Sequence, residues 1–391
     1  MLANILKAAG YHVGLYTSPH LIRINERIRV NGVEITDTDF AETFAAIHAT
    51  IEELLATGEL PAHPTYFECV TAMAFEFFAR AKTDINVFEV GMGGRLDSTN
   101  IIAPEVAVIT QIAFDHESFL GHSIKEIAGE KAGIIKPGAL VVNVAGNPIA
   151  DQVIAQRASD VNAQVFKPDN LYKIHDMEVE DGCCRFTAES VSEFSSSDVY
   201  RSVKVALPVA GEFQVRNALT AMTAATLLRG RGFAINGDAI SRGLSSVHWP
   251  GRLERVHQRP AVYFDGTHNP AGASELLAFW TSHFAGRRIH LIYGAMRDKA
   301  IDEIAGILFG HAETVLLTQS PQPRSISAAT LAEMTRHLAR HSEIVSDPSA
   351  ALERALDLAA PEDIVFCTGS LYLVGDLQRF WHERNLCNTR V

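Results

Sequence analysis

The 391 residues carry 34 lysines and arginines against 46 aspartates and glutamates, a formal net charge of −12, with 47% hydrophobic and 20% charged residues. Such a chain can bury a large core in about two or three domains, and its negative charge excludes nucleic acid and anionic membrane as general partners, because both are polyanionic. Five cysteines, Cys69, Cys183, Cys184, Cys367 and Cys387, form no CxxC pair and leave one over on pairing, which fits free thiols in a reducing cytoplasm.

The opening MLANILKAAGYHVGLY has no basic start and is interrupted by Lys7, so it reads as part of the fold rather than as a signal peptide. No apolar run reaches the roughly 20 residues that a membrane span needs. Leu2, Ile5 and Leu6 recur at helical spacing with no cap before them, as in the remainder of a longer helix. Gly10 ends that helix, Val13–Tyr16 reads as a short strand, and TSPHLIRINERIRVNG reads as a long loop carrying Ser18 and His20. Phe40, Phe44, Ile47, Ile51 and Leu54 predict an amphipathic helix over Thr36–Gly58, capped by Thr36 or Asp37. From Thr65 through Phe78 the chain is almost all apolar, which predicts a buried helix.

The stretch Val87–Asn100, VFEVGMGGRLDSTN, organises the rest. A strand runs into a sharp turn at Gly91, Gly93 and Gly94, and an acid and an amide follow at once. In open α/β sheets ligands collect outside the carboxyl ends of the strands. Glu89 is expected inside the strand, where a carboxylate is costly to bury unless something positive offsets it, and a divalent metal would do so.

Further strands are expected near Val106–Thr110 and Ala139–Asn143, separated by a segment that carries Asp115, His116 and Lys131. A helix near Pro148–Ala158 is followed by short strand-like pieces over 160–207, which suggest an antiparallel patch. Gln214–Arg231 reads as an Ala-rich helix carrying Asn217. HWPGR then breaks the pattern, so the expected division is 1–247, a linker 248–252 holding Arg252, and 253–391. Beyond it, strands near Val262–Asp265, Ile289–Tyr293, Thr314–Thr318 and Ile364–Cys367 alternate with helices near 271–283, 299–310, 327–340 and 348–359, which argues for a second α/β sheet.

Taken singly, Ser18, His116 and Lys131 have bland readings as turn, cap and surface residues. Jointly, a hydroxyl, a carboxylate and an imidazole suit Mg²⁺, which recruits few protein groups and fills its shell with phosphate and water. In FDGTHNPAG, Asp265 and His268 mark a second sheet edge. Two such edges joined by an Arg-bearing hinge form a cleft able to close over a nucleotide.

The motifs SPHL, TYFE at 65–68, EVGMGGRLDSTN, FDH with LG after it, GEKAGIIKPG, WPGRLE, FDGTHNPAG and TGSLYLVG at 368–375 resemble, in order and over essentially the whole chain, the folylpolyglutamate synthase/dihydrofolate synthase family of the Mur ligase superfamily. The resemblance implies an α/β protein: a central ATPase domain with a mainly parallel sheet flanked by helices and a small antiparallel patch, then a C-terminal Rossmann-like domain. It implies an ATP-dependent ligase that adds L-glutamate to dihydropteroate, to the γ-carboxylate of reduced folates, or to both, through an acyl phosphate. Carried over residue by residue, Ser18, Glu89 and His116 match the magnesium ligands, and His116 is also a catalytic candidate. Lys131 matches a lysine carbamylated in relatives. Asn217, Arg252, Asp265 and His268 match ATP contacts, and Thr65, Phe67 and Asp97 match the pterin pocket. A cytoplasmic monomer with small-molecule substrates, no nucleic acid and no membrane partner is implied as well. The family's GxxxxGK[ST] phosphate loop, which would precede the first helix, occurs nowhere in this sequence. The expectation is a truncated start; a ligase acting on a peptidoglycan precursor and a catalytically impaired folate-binding relative stand as alternatives.

Overall fold

In the computed structural model, residues 1–115, 117–180, 182–191 and 202–388 are described. Strands β1 (Val13–Tyr16), β2 (Ile28–Val30), β3 (Val33–Glu34) and β4 (Ile85–Phe88) form a sheet in the order β3-β2-β1-β4, with β1 and β4 parallel and β2 antiparallel to β1. Strands β5 (Val106–Ile109), β6 (Leu140–Asn143) and β7 (Gln164–Phe166) form a parallel sheet, and β8 (Tyr172–Glu180), β9 (Cys183–Ser190) and β10 (Ser202–Leu207) an antiparallel one. The remaining strands, β11 (Glu254–Gln258), β12 (Ala261–Phe264), β13 (Ile289–Tyr293), β14 (Thr314–Leu317), β15 (Ser342–Ile344) and β16 (Ile364–Thr368), make a six-stranded sheet ordered β11-β12-β16-β13-β14-β15. It is parallel except for the edge strand β11.

The helices are α1 (Leu2–Ala8), α2 (Asp37–Ala56), α3 (Tyr66–Ala81), α4 (Glu117–Leu120), α5 (Ile124–Ala132), α6 (Pro148–Asp160), α7 (Glu212–Gly230), α8 (Gly237–Ser245), α9 (Pro270–His283), α10 (Ile301–Leu308), α11 (Ala328–Thr335), α12 (Pro348–Leu358) and α13 (Leu371–Asn388). Every residue of β12, β13 and β16 is buried, because helices cover both faces of a parallel sheet. Inward residues of β9 and β10, such as Phe186 and Val205, pack with α1, α7 and α8 in one core. The Ala-rich α7 is buried nearly all round, its small side chains letting neighbours approach closely. Among the described residues no helix is long and apolar enough to cross a membrane.

Three expectations are corrected. The loop after β1 is not irregular throughout: Arg29 pairs with Glu34 and Val30 with Val33 across an Asn31-Gly32 turn, both of whose residues have positive φ, the hairpin signature of Asn-Gly. Helix α3 is not wholly buried. Val70, Met73, Ala74 and Phe78 face the sheet, whereas Tyr66 is 56% exposed, since a helix lying on one sheet face keeps a solvated side. Glu89 lies just past β4 rather than within it; its N–H continues the ladder to the Tyr16 carbonyl at 2.9 Å, while its side chain is exposed.

Candidate active site

One wall of the cleft is built from the loop after β1 and the turn after β4. The Ser18 N–H donates to Glu89 Oε2 at 2.9 Å, tying these two strand ends together. Glu26 accepts from the N–H groups of Leu21, Ile22 and Arg23 at 2.8, 2.7 and 2.7 Å, which gives the SPHL loop one conformation. After Glu89 the chain turns through Gly91, whose bare Cα lies under the Phe67 ring, and Gly93, at φ +71°. Asp97 gathers that turn: Oδ2 accepts from the N–H groups of Gly91 and Met92, each at 3.0 Å, and Oδ1 from the N–H and hydroxyl of Thr99 at 3.0 and 2.6 Å. Gly94 rests on the last turn of α5, which carries the half-buried Lys131.

The opposite wall comes from the six-stranded sheet. Asp265, 3% exposed at the end of β12, accepts from Leu253 N–H at 2.8 Å and Thr267 N–H at 2.9 Å, so one carboxylate fixes the chain on either side of β11–β12. His268 Nδ1 donates to the Gly266 carbonyl at 2.8 Å. Asn269 caps α9 by accepting from Gly272 N–H at 2.8 Å. The walls meet at Asp115, in the loop after β5: Lys299 Nζ lies 2.8 Å from Oδ1, Asn269 Nδ2 donates to Oδ2 at 3.3 Å, and His268 Nε2 is 3.8 Å from Oδ2.

Two cavities of about 580 and 550 Å³ open between the walls. The first is lined by Ser18, Phe67 and Asp97 on one side and by Lys299, Arg324 and Tyr372 on the other. The second holds Asn217, Arg252, Asp265 and His268 together, with Gln111 and Asp169 among the residues of its far side. His268 lines both. Thr65 lines neither: it caps α3, its hydroxyl donating to Glu68 Oε2 at 2.7 Å while Glu68 N–H donates back at 3.3 Å. Asp97 lines the first cavity, but with both oxygens already accepting from the turn, its first role is to hold that turn. His116 lies outside the described residues. Residues that sequence reasoning did not single out are Arg27, Asn269, Lys299, Arg324 and Tyr372. Lys299 and Asn269 each follow a strand of the six-stranded sheet at its carboxyl end, the place where ligand contacts gather. Arg27 is 7% exposed, donates from Nε to His20 Nδ1 at 3.0 Å and lies over the Tyr66 ring.

The electrostatics of the cleft are set by burial, opposed by a few neighbouring charges. The protein walls around Glu89 push its carboxyl above the usual range, opposed by the Ser18 N–H and by Arg252 and Arg27. Burial pushes the Lys131 ammonium down, with Asp115 opposing. Burial also lowers His268, helped by Lys299 and Arg252 and opposed by its bond to Gly266 and by Asp115. Among the described residues no group of three or more His, Cys, Asp or Glu side chains is placed to hold a metal ion by itself. Glu89 and Ser18 nonetheless fit Mg²⁺, a hard cation that takes one or two carboxylates plus phosphate oxygens: both offer oxygen, they lie together, and the Glu89 charge is under-compensated.

The sequence matches the Mur ligase middle domain over residues 37–225 and the Mur ligase glutamate ligase domain over 251–371. It is 35% identical over 386 residues to the dihydrofolate synthase/folylpolyglutamate synthase of Bacillus subtilis (strain 168), covering 97% of this chain and 86% of that protein. The fold is similar to that of Mycobacterium tuberculosis folylpolyglutamate synthase complexed with ADP and AMPPCP, at a TM-score of 0.84 and 31% identity over 97% of this chain and 88% of that one. It is also similar to the bifunctional folylpolyglutamate synthase/dihydrofolate synthase of Yersinia pestis complexed with AMPPNP and Mn ion, at a TM-score of 0.78 and 30% identity over 97% and 85% of the two chains.

Proposed function

Because the chain belongs to the folylpolyglutamate synthase/dihydrofolate synthase family of the Mur ligases, we propose that its two adjoining cavities hold ATP and the folate-side acceptor of one ligation. The protein is an ATP-dependent ligase that attaches L-glutamate to dihydropteroate, to the γ-carboxylate of reduced folates, or to both. The observation that carries the residue assignment is His268 lining both cavities: phosphate from one side and carboxylate from the other can meet there. The relatives' folate-side names leave the peptidoglycan-precursor alternative without support.

Asn217, Arg252, Asp265 and His268 are assigned to the ATP site, with the Arg252 guanidinium on phosphate oxygens and Asp265 holding the Leu253 and Thr267 amides next to Arg252 and His268. Phe67 is assigned to the flat pterin, on which an aromatic ring can stack, with Thr65 and Asp97 shaping that pocket through the α3 cap and the Gly-rich turn. Arg27 and Arg324 supply the positive charge that a dicarboxylate amino acid needs. ATP phosphorylates the acceptor carboxylate, the glutamate amine attacks the acyl phosphate, and phosphate leaves in place of a poor oxide leaving group. Ser18 and Glu89, with His116, would hold Mg²⁺, which when bound neutralises charge on the transferring phosphate. Lys131, with its ammonium disfavoured by burial, is suited to carbamylation, which would turn the side chain into an anion able to help hold the metal. The residues 1–247 and 253–391 would then act as two units hinged at 248–252, the working monomer of a cytoplasmic enzyme.

The test is ADP release in the presence of Mg²⁺ and ATP, with tetrahydrofolate or dihydropteroate and L-glutamate added singly and together. Release that requires both, with the acceptor gaining one glutamyl residue by mass, is expected. Release independent of glutamate, or ligand binding without any release, overturns the reading in favour of a folate-binding relative.

A further inference from the structure

Asp115 is the point at which three side chains of the C-terminal part converge on one carboxylate of the N-terminal part. Lys299 approaches across 184 positions of sequence and is only 10% exposed on its side chain. Lysine ammonium groups are strongly hydrated and seldom withdrawn from water without a paired charge, and here that charge comes from the other wall of the cleft. The other two groups are held from behind. Asn269 spends its carbonyl oxygen on the α9 cap and points its amide at Asp115. His268 spends Nδ1 on the Gly266 carbonyl and turns Nε2 toward Asp115. Lys299 lines the first cavity, Asn269 the second and His268 both, so this carboxylate sits where the two cavities join.

We propose that Asp115 is a positioning residue, a clasp that fixes the spacing between the walls and so aligns the nucleotide cavity with the acceptor cavity. The proposal rests on the ligase reading above. The Asp115 carboxylate acts on the reactants only through Lys299, Asn269 and His268. Its physical basis is that aligning two bound reactants to within a fraction of an ångström governs rate more than affinity, and a misplacement of about 1 Å costs on the order of a hundredfold. Removing one member of a part-buried pair also leaves the other charge uncompensated, which drives the walls apart rather than merely loosening them.

The experiment compares the wild type with Asp115→Asn, Lys299→Met, the double variant and the charge-keeping Lys299→Arg. Two readouts are taken: steady-state ligation, and the radius of gyration by small-angle scattering. Asp115→Asn and Lys299→Met are each expected to lose about tenfold to a hundredfold in kcat while KM for ATP moves much less. The double variant should lose no more than the worse single, Lys299→Arg should keep most of kcat, and the radius of gyration should rise in the two charge-removing singles. Losses that multiply in the double variant, an unchanged kcat in Asp115→Asn, or a radius of gyration equal to wild type in both singles overturns the clasp. If the wild type itself shows no ligation, the ligase reading fails on its own, and the scattering comparison still decides the clasp.

Discussion

Gly94→Ala separates close packing from backbone strain, because Gly94 does not have the positive φ that disfavours other residues. A methyl group there would lie 2.7 Å from the Glu130 carbonyl oxygen and 2.9 Å from that of Lys131. Both are backbone atoms at the end of α5 that already accept hydrogen bonds, the Glu130 carbonyl from Arg95 N–H at 2.8 Å and the Lys131 carbonyl from Ile134 N–H at 3.3 Å. Neither can swing aside as a side chain would, so the Gly-rich turn must lift by roughly 0.7 Å to reach ordinary contact distance. Overpacking of this kind costs about 1–3 kcal/mol. The lifted turn also carries the amides of Gly91 and Met92 away from Asp97 and shifts the wall beside Glu89, so a loss of roughly tenfold to a hundredfold in kcat is expected. Gly129→Ala is the control: it lies in the same helix with nothing within 4 Å of the new methyl, and it should stabilise by about 0.5–1 kcal/mol by removing a helical glycine. Thermal melts and turnover of the two variants check this. A Gly94→Ala protein as stable and as active as wild type refutes the close-approach argument.

Three further outcomes follow from the site and its support. Glu89→Ala should lose at least about a hundredfold in turnover with its melting midpoint nearly unchanged, since the side chain is exposed and supports no core; undiminished turnover would remove the metal-site assignment. With ¹³C-labelled bicarbonate, a carbamate resonance that disappears in Lys131→Gln is expected, because burial favours the neutral amine that reacts with CO₂; a resonance that persists in the variant moves the modification elsewhere. At the far end of the six-stranded sheet, burial raises the Asp363 carboxyl, but hydrogen bonds from Arg288, the Ala360 N–H and His290 outweigh it and hold the group below its ordinary value. A carboxyl held low in the folded chain contributes stability above its unfolded pKa and loses it as pH falls through the folded value. Asp363→Asn should therefore cost about 1–3 kcal/mol at pH 7, with the gap from wild type closing below about pH 4. A gap independent of pH in urea unfolding would sink that account.

Periodicity and strand-end chemistry made much of this molecule legible. β1 and β13 fall where the sequence places them, Thr36 caps α2 as its side chain predicts, and the α/β alternation after residue 253 is the six-stranded sheet. What was missed has physical reasons. β3 and β15 are two and three residues long, too short for alternation to register, and the Asn31-Gly32 turn was the one local signal of the first. Helix α13 opens with LYLVGDL, whose Gly375 lies against the Leu21 carbonyl; the glycine is a contact with the SPHL loop, and only tertiary structure reveals it. The apolar neighbours of Glu89 argue for a place inside the strand, whereas only its amide continues the ladder, one residue past the last strand residue. Lys299 gave no local signal, since its partner lies 184 positions away.

The acidic residues of the cleft walls divide into those that face ligands and those that shape the wall, and composition cannot tell them apart. Asp97, Asp265 and Glu26 each follow or flank a strand, as a ligand-binding carboxylate would. Each nevertheless accepts two or more hydrogen bonds from the protein's own backbone or hydroxyl groups. A carboxylate has about four acceptor sites, so these three are largely spent on holding loops that would otherwise sample many conformations. That arrangement leaves Glu89, with one backbone donor and a carboxyl pushed up by its surroundings, as the acid with capacity and electrostatic reason to take a cation. The same division explains how a chain of net charge −12 can receive ATP and glutamate, both anions. The wall-shaping acids are neutralised by backbone dipoles within their own loops, while Arg27, Arg252 and Arg324 line the cavities. Those cations meet a substrate at close range, whereas exposed charge farther away than about a Debye length is largely screened.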